Sequence, residues 1–175
     1  DADAPISTMP GQRRLALQSL TREVESLKSL GVRTTVLFGI PRHKDESGTA
    51  AYDPNGIVQK ALGHLRDGFG DDLLVFTDVC MCQYTSHGHC GIVRNGIIDN
   101  DETLEYLAKI AASHAEAGAD AVAPSAMIDG QVMRLRQALD EAGYKDRAIL
   151  AYAAKHASSF FGPFREAAFS APRFG

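Results

Sequence analysis

The run Leu73 to Val79 (LLVFTDV) is short, mostly apolar and led into by Gly68 and Gly70. A run of that length and composition is typical of a strand buried on both faces, which belongs in a parallel sheet. Parallel neighbours need crossover connections, so the flanking sequence has to provide helices.

It does so at regular intervals. Leu17, Leu20, Val24, Leu27 and Leu30 recur at helical spacing over 15–30, and Gly31 sits where a C-terminal cap belongs. Val32 to Ile40 (VRTTVLFGI) is β-branched and aromatic until Pro41, and predicts a strand. Ile57, Val58, Ala61, Leu62 and Leu65 mark a second helix. Leu104, Leu107, Ala108, Ala111 and Ala115 mark a third, capped by Asn100 or Asp101 and closed by Gly118. Ala119 to Ser125 is a further strand. Val132, Leu135, Ala138 and Leu139 lie on a helix ending at Gly143, and Arg147 to Lys155 (RAILAYAAK) predicts a fourth strand before a loop and a short helix. Residues 1–14, with Pro5, Pro10 and Gly11, read as an N-terminal arm or loop. The charged stretch from Arg42 to Gly56 is long enough to be a functional loop or lid, beside the plainer reading of a solvated connection. Strands alternating with helices predict an α/β fold with right-handed crossovers. No G-x-G-x-x-G follows any strand, so a dinucleotide-binding fold has no motif support.

At 175 residues and 45% hydrophobic, the chain can build one domain with a core of its own. A net charge of -4 gives no basic footprint for nucleic acid or an anionic membrane, and no apolar run is long enough to span a bilayer. Neither partner is expected.

All three cysteines, Cys80, Cys82 and Cys90, fall in DVCMCQYTSHGHCG, directly after the Leu73–Val79 strand, with His87 and His89 among them. A Cys80–Cys82 disulfide is disfavoured by the short separation and leaves one cysteine over. Three inert core cysteines are a second reading, because free cysteine is often buried. Clustering in one glycine- and histidine-bearing loop favours metal. Three thiolates leave one position of a tetrahedral ion open, as catalysis needs, whereas His87 or His89 as a fourth ligand would make a closed structural knuckle. Free thiols suit a reducing cytoplasm.

Polar residues stand just beyond three strand ends: Asp78 with the cysteines, Ser125, and Lys155. Parallel α/β folds, barrels above all, place their chemistry there. A lysine at a strand end is ordinarily a solvated cap. If a buried apolar strand desolvates it, the amine is kept neutral and can attack a carbonyl to form a Schiff base. Arg165, in GPFRE, offers a fork for a carboxylate or a surface ion pair. On these residues alone the chemistry is that of a metal-assisted Schiff-base lyase or aldolase acting on a small anionic carbonyl compound.

DVCMCQYTSHGHCG, VAPSAMIDG and AYAAKHASSFFGPFREAA, with STMPG, LFGIPRHKDESGTAA and NDETL, together resemble the porphobilinogen synthase (5-aminolevulinate dehydratase) family over nearly the whole chain. The resemblance implies a TIM (β/α)8 barrel that condenses two molecules of 5-aminolevulinate into porphobilinogen, with loss of two waters, in haem and other tetrapyrrole synthesis. It implies catalytic zinc on Cys80, Cys82 and Cys90 with His89 beside it, the three-cysteine loop resembling the zinc-dependent branch rather than the magnesium-type one. Lys155 becomes one of two active-site lysines, Arg165 a contact for the substrate carboxylate, and Asp78 and Ser125 polar groups of the same pocket. The family octamer implies self-association, although the arm it relies on is mostly absent here. Two positions depart from the pattern: Ala126 stands where an aspartate is usual, and Phe161 where a tyrosine is. The second lysine and a further carboxylate-binding arginine would lie on later strands, so this chain is expected to cover about four of eight strands. Such a half barrel, a single partial domain over residues 1–175, exposes two strand edges and predicts a marginally stable oligomer or a portion of a longer enzyme. A different Schiff-base aldolase on the same barrel, or a zinc-binding half-domain without turnover, are the competing readings.

Overall fold

The computed structural model describes residues 2–173; Asp1 at the start of the arm and Phe174 and Gly175 lie outside the described residues. In chain order the elements are β1 (Ala4–Pro5), β2 (Arg13–Arg14), α1 (Leu17–Ser29), β3 (Thr34–Leu37), α2 (Ile57–Phe69), β4 (Leu74–Val79), β5 (Ile92–Arg94), β6 (Ile97–Asp99), α3 (Asn100–Glu116), β7 (Ala121–Pro124), α4 (Gln131–Glu141), β8 (Ala148–Ile149) and α5 (Phe161–Ala168). The main sheet runs β3-β4-β7-β8, all parallel. This is the expected βαβ succession.

The side-chain alternation along these strands decides where the core lies. Val75 and Val79 of β4 and Val122 of β7 are fully buried, packed with Leu62 and Leu65 of α2, Leu107 of α3 and Leu135 of α4 in two apolar clusters. Their neighbours in sequence point the other way. Leu74 is 49% exposed and Val36 38% exposed, so the face opposite the helices is open over the first half of the sheet. The expectation that Leu73–Val79 is buried on both faces therefore fails at Leu74, because the described helices cover one side only. Truncating a fully buried leucine such as Leu107 costs about 2–5 kcal/mol, so the helix side carries most of the stability.

Local chemistry sets the boundaries. Asp99, rather than Asn100 or Asp101, is the N-cap of α3: its Oδ1 accepts from the Glu102 N–H at 2.9 Å. Gly31, with φ +87°, follows α1 and donates its N–H to the Lys28 carbonyl at 2.9 Å, closing that helix as expected. At the amino ends of the strands Arg66 binds Asp120, whose Oδ2 also accepts from Val75 N–H at 2.7 Å, while Arg66 Nε donates to Gly118 O at 2.8 Å. This staple ties α2, β4 and β7 together at the end away from the cysteines.

Strand lengths and the arm are revised as well. The predicted strand Val32–Ile40 shortens to Thr34–Leu37, and Arg147–Lys155 to Ala148–Ile149. Beyond Leu150, whose N–H donates to Val122 O at 2.9 Å, the chain runs exposed to Phe160 without a ladder, because its other edge meets no strand among the described residues. Within the arm, Ala4–Pro5 pairs antiparallel with Arg13–Arg14.

Candidate active site and metal centre

Cys80 follows β4 directly, and the loop after it is wound so that the cysteines converge. Tyr84 and Thr85 N–H groups donate to the Met81 carbonyl at 2.8 and 2.9 Å, making a helical turn anchored by the buried Met81 and Tyr84 side chains. Thr85 Oγ1 donates to His89 O at 2.9 Å and brings Cys90 back. Gly88, at φ +75°, has no room for a Cβ, which would strike the Ala171 backbone. From outside, the Arg42–Gly56 stretch braces the loop. Asp45 bridges to Thr85, Ser86 N–H donates to Asp45 O at 2.8 Å, and Ala51 is buried. That stretch backs the cysteine loop without lining the cavity, and its outer residues, Arg42, His43 and Asp53 among them, stay exposed.

The three sulfurs lie within 4.8 Å of one another, with Cys80 Sγ 3.4 Å from Cys82 Sγ. Zinc–sulfur bonds of about 2.3 Å in a tetrahedral shell place sulfurs about 3.8 Å apart, so the cluster fits such an ion with little movement. Cys80 is buried while Cys82 and Cys90 are partly open, which leaves access for a fourth ligand. The electrostatics fit a cation equally well. Hydrogen bonds from Cys80 and Cys82, with Lys155 nearby, hold the Cys90 thiol down to about 3. The same contacts with Cys80 and Cys90, together with burial, push the Cys82 thiol far up. Three close sulfurs cannot all ionise without a positive charge among them. These residues can hold a metal.

His89 stands outside that trio. It lines the same cavity, its backbone N–H donating to His87 Nδ1 at 3.1 Å and its ring 5.4 Å from that of His87. The cavity, of about 430 Å³, is walled by Cys80, Cys82, His89 and Cys90 on one side and by Ser125, Lys155, Phe161 and Arg165 on the others. Asp78 is buried behind this wall, its Oδ2 accepting from Gln83 Nε2 at 2.9 Å. Burial and then the Cys80 sulfur push its carboxyl up to about 7, against Ser125, Gln83 and Lys155. Lys155 Nζ donates to the Ser125 carbonyl, and the Arg165 guanidinium stacks 4.4 Å over the Phe161 ring. Lys155 is exposed, so the buried strand expected to desolvate it is absent: the ladder of β8 ends at Ile149. Ala126 lies buried in the larger apolar cluster.

Two contributors escaped the sequence reading. Ile98, on the β5–β6 hairpin, lines the cavity, and Asn95-Gly96, both at positive φ between two isoleucine-bearing runs, is a type I′ hairpin signature. Gln83, which links Asp78 to the cysteine loop, has no signal in a single sequence.

Parallel strands whose carboxyl ends gather three cysteines and a lysine around one cavity, with a buried carboxyl behind it, define a segment of an α/β barrel that can hold a metal. The chain belongs to the delta-aminolevulinic acid dehydratase family, whose model matches residues 1–175. Proteins named delta-aminolevulinic acid dehydratase from Methanothermus sociabilis and Bacillus subtilis are 55% and 48% identical to it over 170 residues, 97% of this chain and 52% of theirs. One from Ruminiclostridium josui is 48% identical over 93% of this chain and 79% of its own length. The crystal structure of the Toxoplasma gondii delta-aminolevulinic acid dehydratase (porphobilinogen synthase), in complex with its reaction product porphobilinogen, superposes with a TM-score of 0.95 at 41% identity, over 100% of this chain and 51% of that one. The fold is thus about half of a TIM barrel, and the chain spans about half the length of most of these relatives.

Proposed function

We propose that this chain carries the metal-binding half, and one of the two lysines, of a porphobilinogen synthase site that condenses two molecules of 5-aminolevulinate into porphobilinogen with loss of two waters. The observation that carries the reading is the convergence of Cys80, Cys82 and Cys90 with Lys155 on one cavity. Three sulfur donors favour zinc over magnesium, which prefers oxygen. Bound there, with His89 alongside, zinc supplies a Lewis acid and lowers the pKa of a coordinated water.

The chain's own residues do the rest. Lys155 Nζ attacks the ketone carbon of 5-aminolevulinate; the carbon–oxygen bond breaks, water leaves and a carbon–nitrogen double bond remains. The Ser125 carbonyl, already accepting from Nζ, orients the amine. Arg165, pre-set by its stack on Phe161, receives the substrate carboxylate. Asp78, held near neutrality by burial and steadied by Gln83, exchanges a proton with the groups around it. We place the chain in the cytoplasm, where thiols stay reduced, as one partial barrel domain that self-associates through its open sheet.

The test is mass analysis after incubation with 5-aminolevulinate and borohydride. One reduced adduct on Lys155 supports the reading. A folded, zinc-loaded sample without adduct supports a zinc-binding half-domain without turnover, a reading favoured by the exposure of Lys155. Adduct formation with other keto acids but not with 5-aminolevulinate supports a different Schiff-base aldolase.

A further inference from the structure

Helix α5 carries both Phe161 and Arg165, yet at eight residues it is too short to persist alone, and its N-cap, Phe160, makes no side-chain cap. Its C-terminal end is held from outside. Arg14 Nη1 donates to the Glu166 and Ala167 carbonyls at 3.3 and 3.4 Å and stacks 4.1 Å over the Phe169 ring. Lys44 Nζ donates at 2.6 Å to the carbonyl of Phe169, the left-handed residue that ends the helix. Carbonyls at a helix C-terminus lack partners within the helix and carry its negative end, so cations there bind well. The two cations differ in what stands behind them. Arg14 comes from the N-terminal strand pair, whereas Lys44 adjoins Asp45, whose backbone and bridge are tied to Ser86 and Thr85 of the cysteine loop.

We propose that Lys44 is a positioning residue: by fixing the Phe169 carbonyl to the segment that braces the cysteine loop, it sets α5, and with it Arg165 and Phe161, against the cavity. The consequence for the substrate rests on the reading that Arg165 receives its carboxylate; the clamp itself does not. Lys44 touches no reacting atom. It determines how often Arg165 is in place, so it acts on substrate capture and leaves the amine of Lys155 as it is; its charge also reaches Cys82, which is why zinc stoichiometry is followed alongside.

The experiment compares the wild-type chain with Lys44→Met and Lys44→Arg, all zinc-loaded. Two quantities are measured: hydrogen exchange of the α5 amides, and the 5-aminolevulinate concentration giving half-maximal borohydride trapping on Lys155. In Lys44→Met, exchange over 161–169 accelerates about tenfold, the loss of one hydrogen bond from a charged donor. Amides of α2, α3 and α4 keep their protection and zinc stoichiometry is unchanged. The half-saturating concentration rises by a similar factor at an unchanged maximal trapping rate, and Lys44→Arg restores both. Unchanged α5 exchange in Lys44→Met overturns the proposal, as does a fall in maximal trapping without a shift in half-saturation. If the wild type itself forms no adduct, the functional reading fails, and the exchange comparison still decides the clamp.

Discussion

The cysteine loop and the segment that carries Lys155 both leave the carboxyl ends of strands in the same sheet, yet they are built differently. The loop follows β4, a strand with parallel neighbours on both sides, and is pinned by Met81, Tyr84 and the Asp45 bridge. The lysine segment follows β8, which has one neighbour among the described residues, and every residue from Leu150 to Phe160 is exposed. A ligand cluster can be completed within one loop when both flanking strands are locked. A reactive amine needs a firm support on each side, and among the described residues the lysine segment has a strand on one side only. Metal binding and carbonyl capture should therefore depend unequally on this chain's own packing.

The largest effect expected from that contrast is on stability. Leu107→Ala, in the fully buried cluster beneath the cysteine loop, should cost about 2–5 kcal/mol in urea unfolding, whereas Leu150→Ala on the lysine side should stay within about 0.5 kcal/mol. Equal costs would erase the distinction. Next comes pH. His114 of α3 is fully buried, and burial pushes it down to about 4, only partly opposed by the Ala51 carbonyl. The unfolded chain, with an ordinary value near 6.5, binds that proton first. Stability that is complete above about pH 6.5 is thus lost as pH falls toward 4, by up to roughly 3 kcal/mol. The readout is the difference between wild type and His114→Leu, because Asp78, raised to about 7, tilts the same window in the opposite direction. A flat difference would contradict the burial argument. Smaller still, Asp99→Ala should cost about 1 kcal/mol through the lost cap of α3, seen in the same unfolding curves. The smallest change is Lys155→Ala. It should move stability by less than about 0.5 kcal/mol and keep the zinc stoichiometry while removing the adduct, since the side chain is exposed.

The same contrast explains what could be read in advance. The cysteine cluster was legible because its members are close in sequence, and thiol chemistry limits what three clustered cysteines do. Helices α1 to α4 were legible from leucine and alanine spacing. The apolar run after Arg147 predicted more strand than exists, because composition reports willingness to pair and not the presence of a partner edge. The open face at Leu74 and Val36 was hidden for a similar reason: a strand's own residues do not say how many layers cover it. Asn95-Gly96 is a local signature of its hairpin, whereas the link from Lys44 to Phe169 joins residues 125 apart and has no local signature.

The metal site should be complete within this chain. Native mass spectrometry of the reduced protein titrated with zinc tests it most directly, with Cys90→Ala alongside. One zinc bound per chain, and none in the variant at the same concentration, is the predicted result. Retention of the ion by Cys90→Ala, or no binding by the wild-type chain, would contradict it.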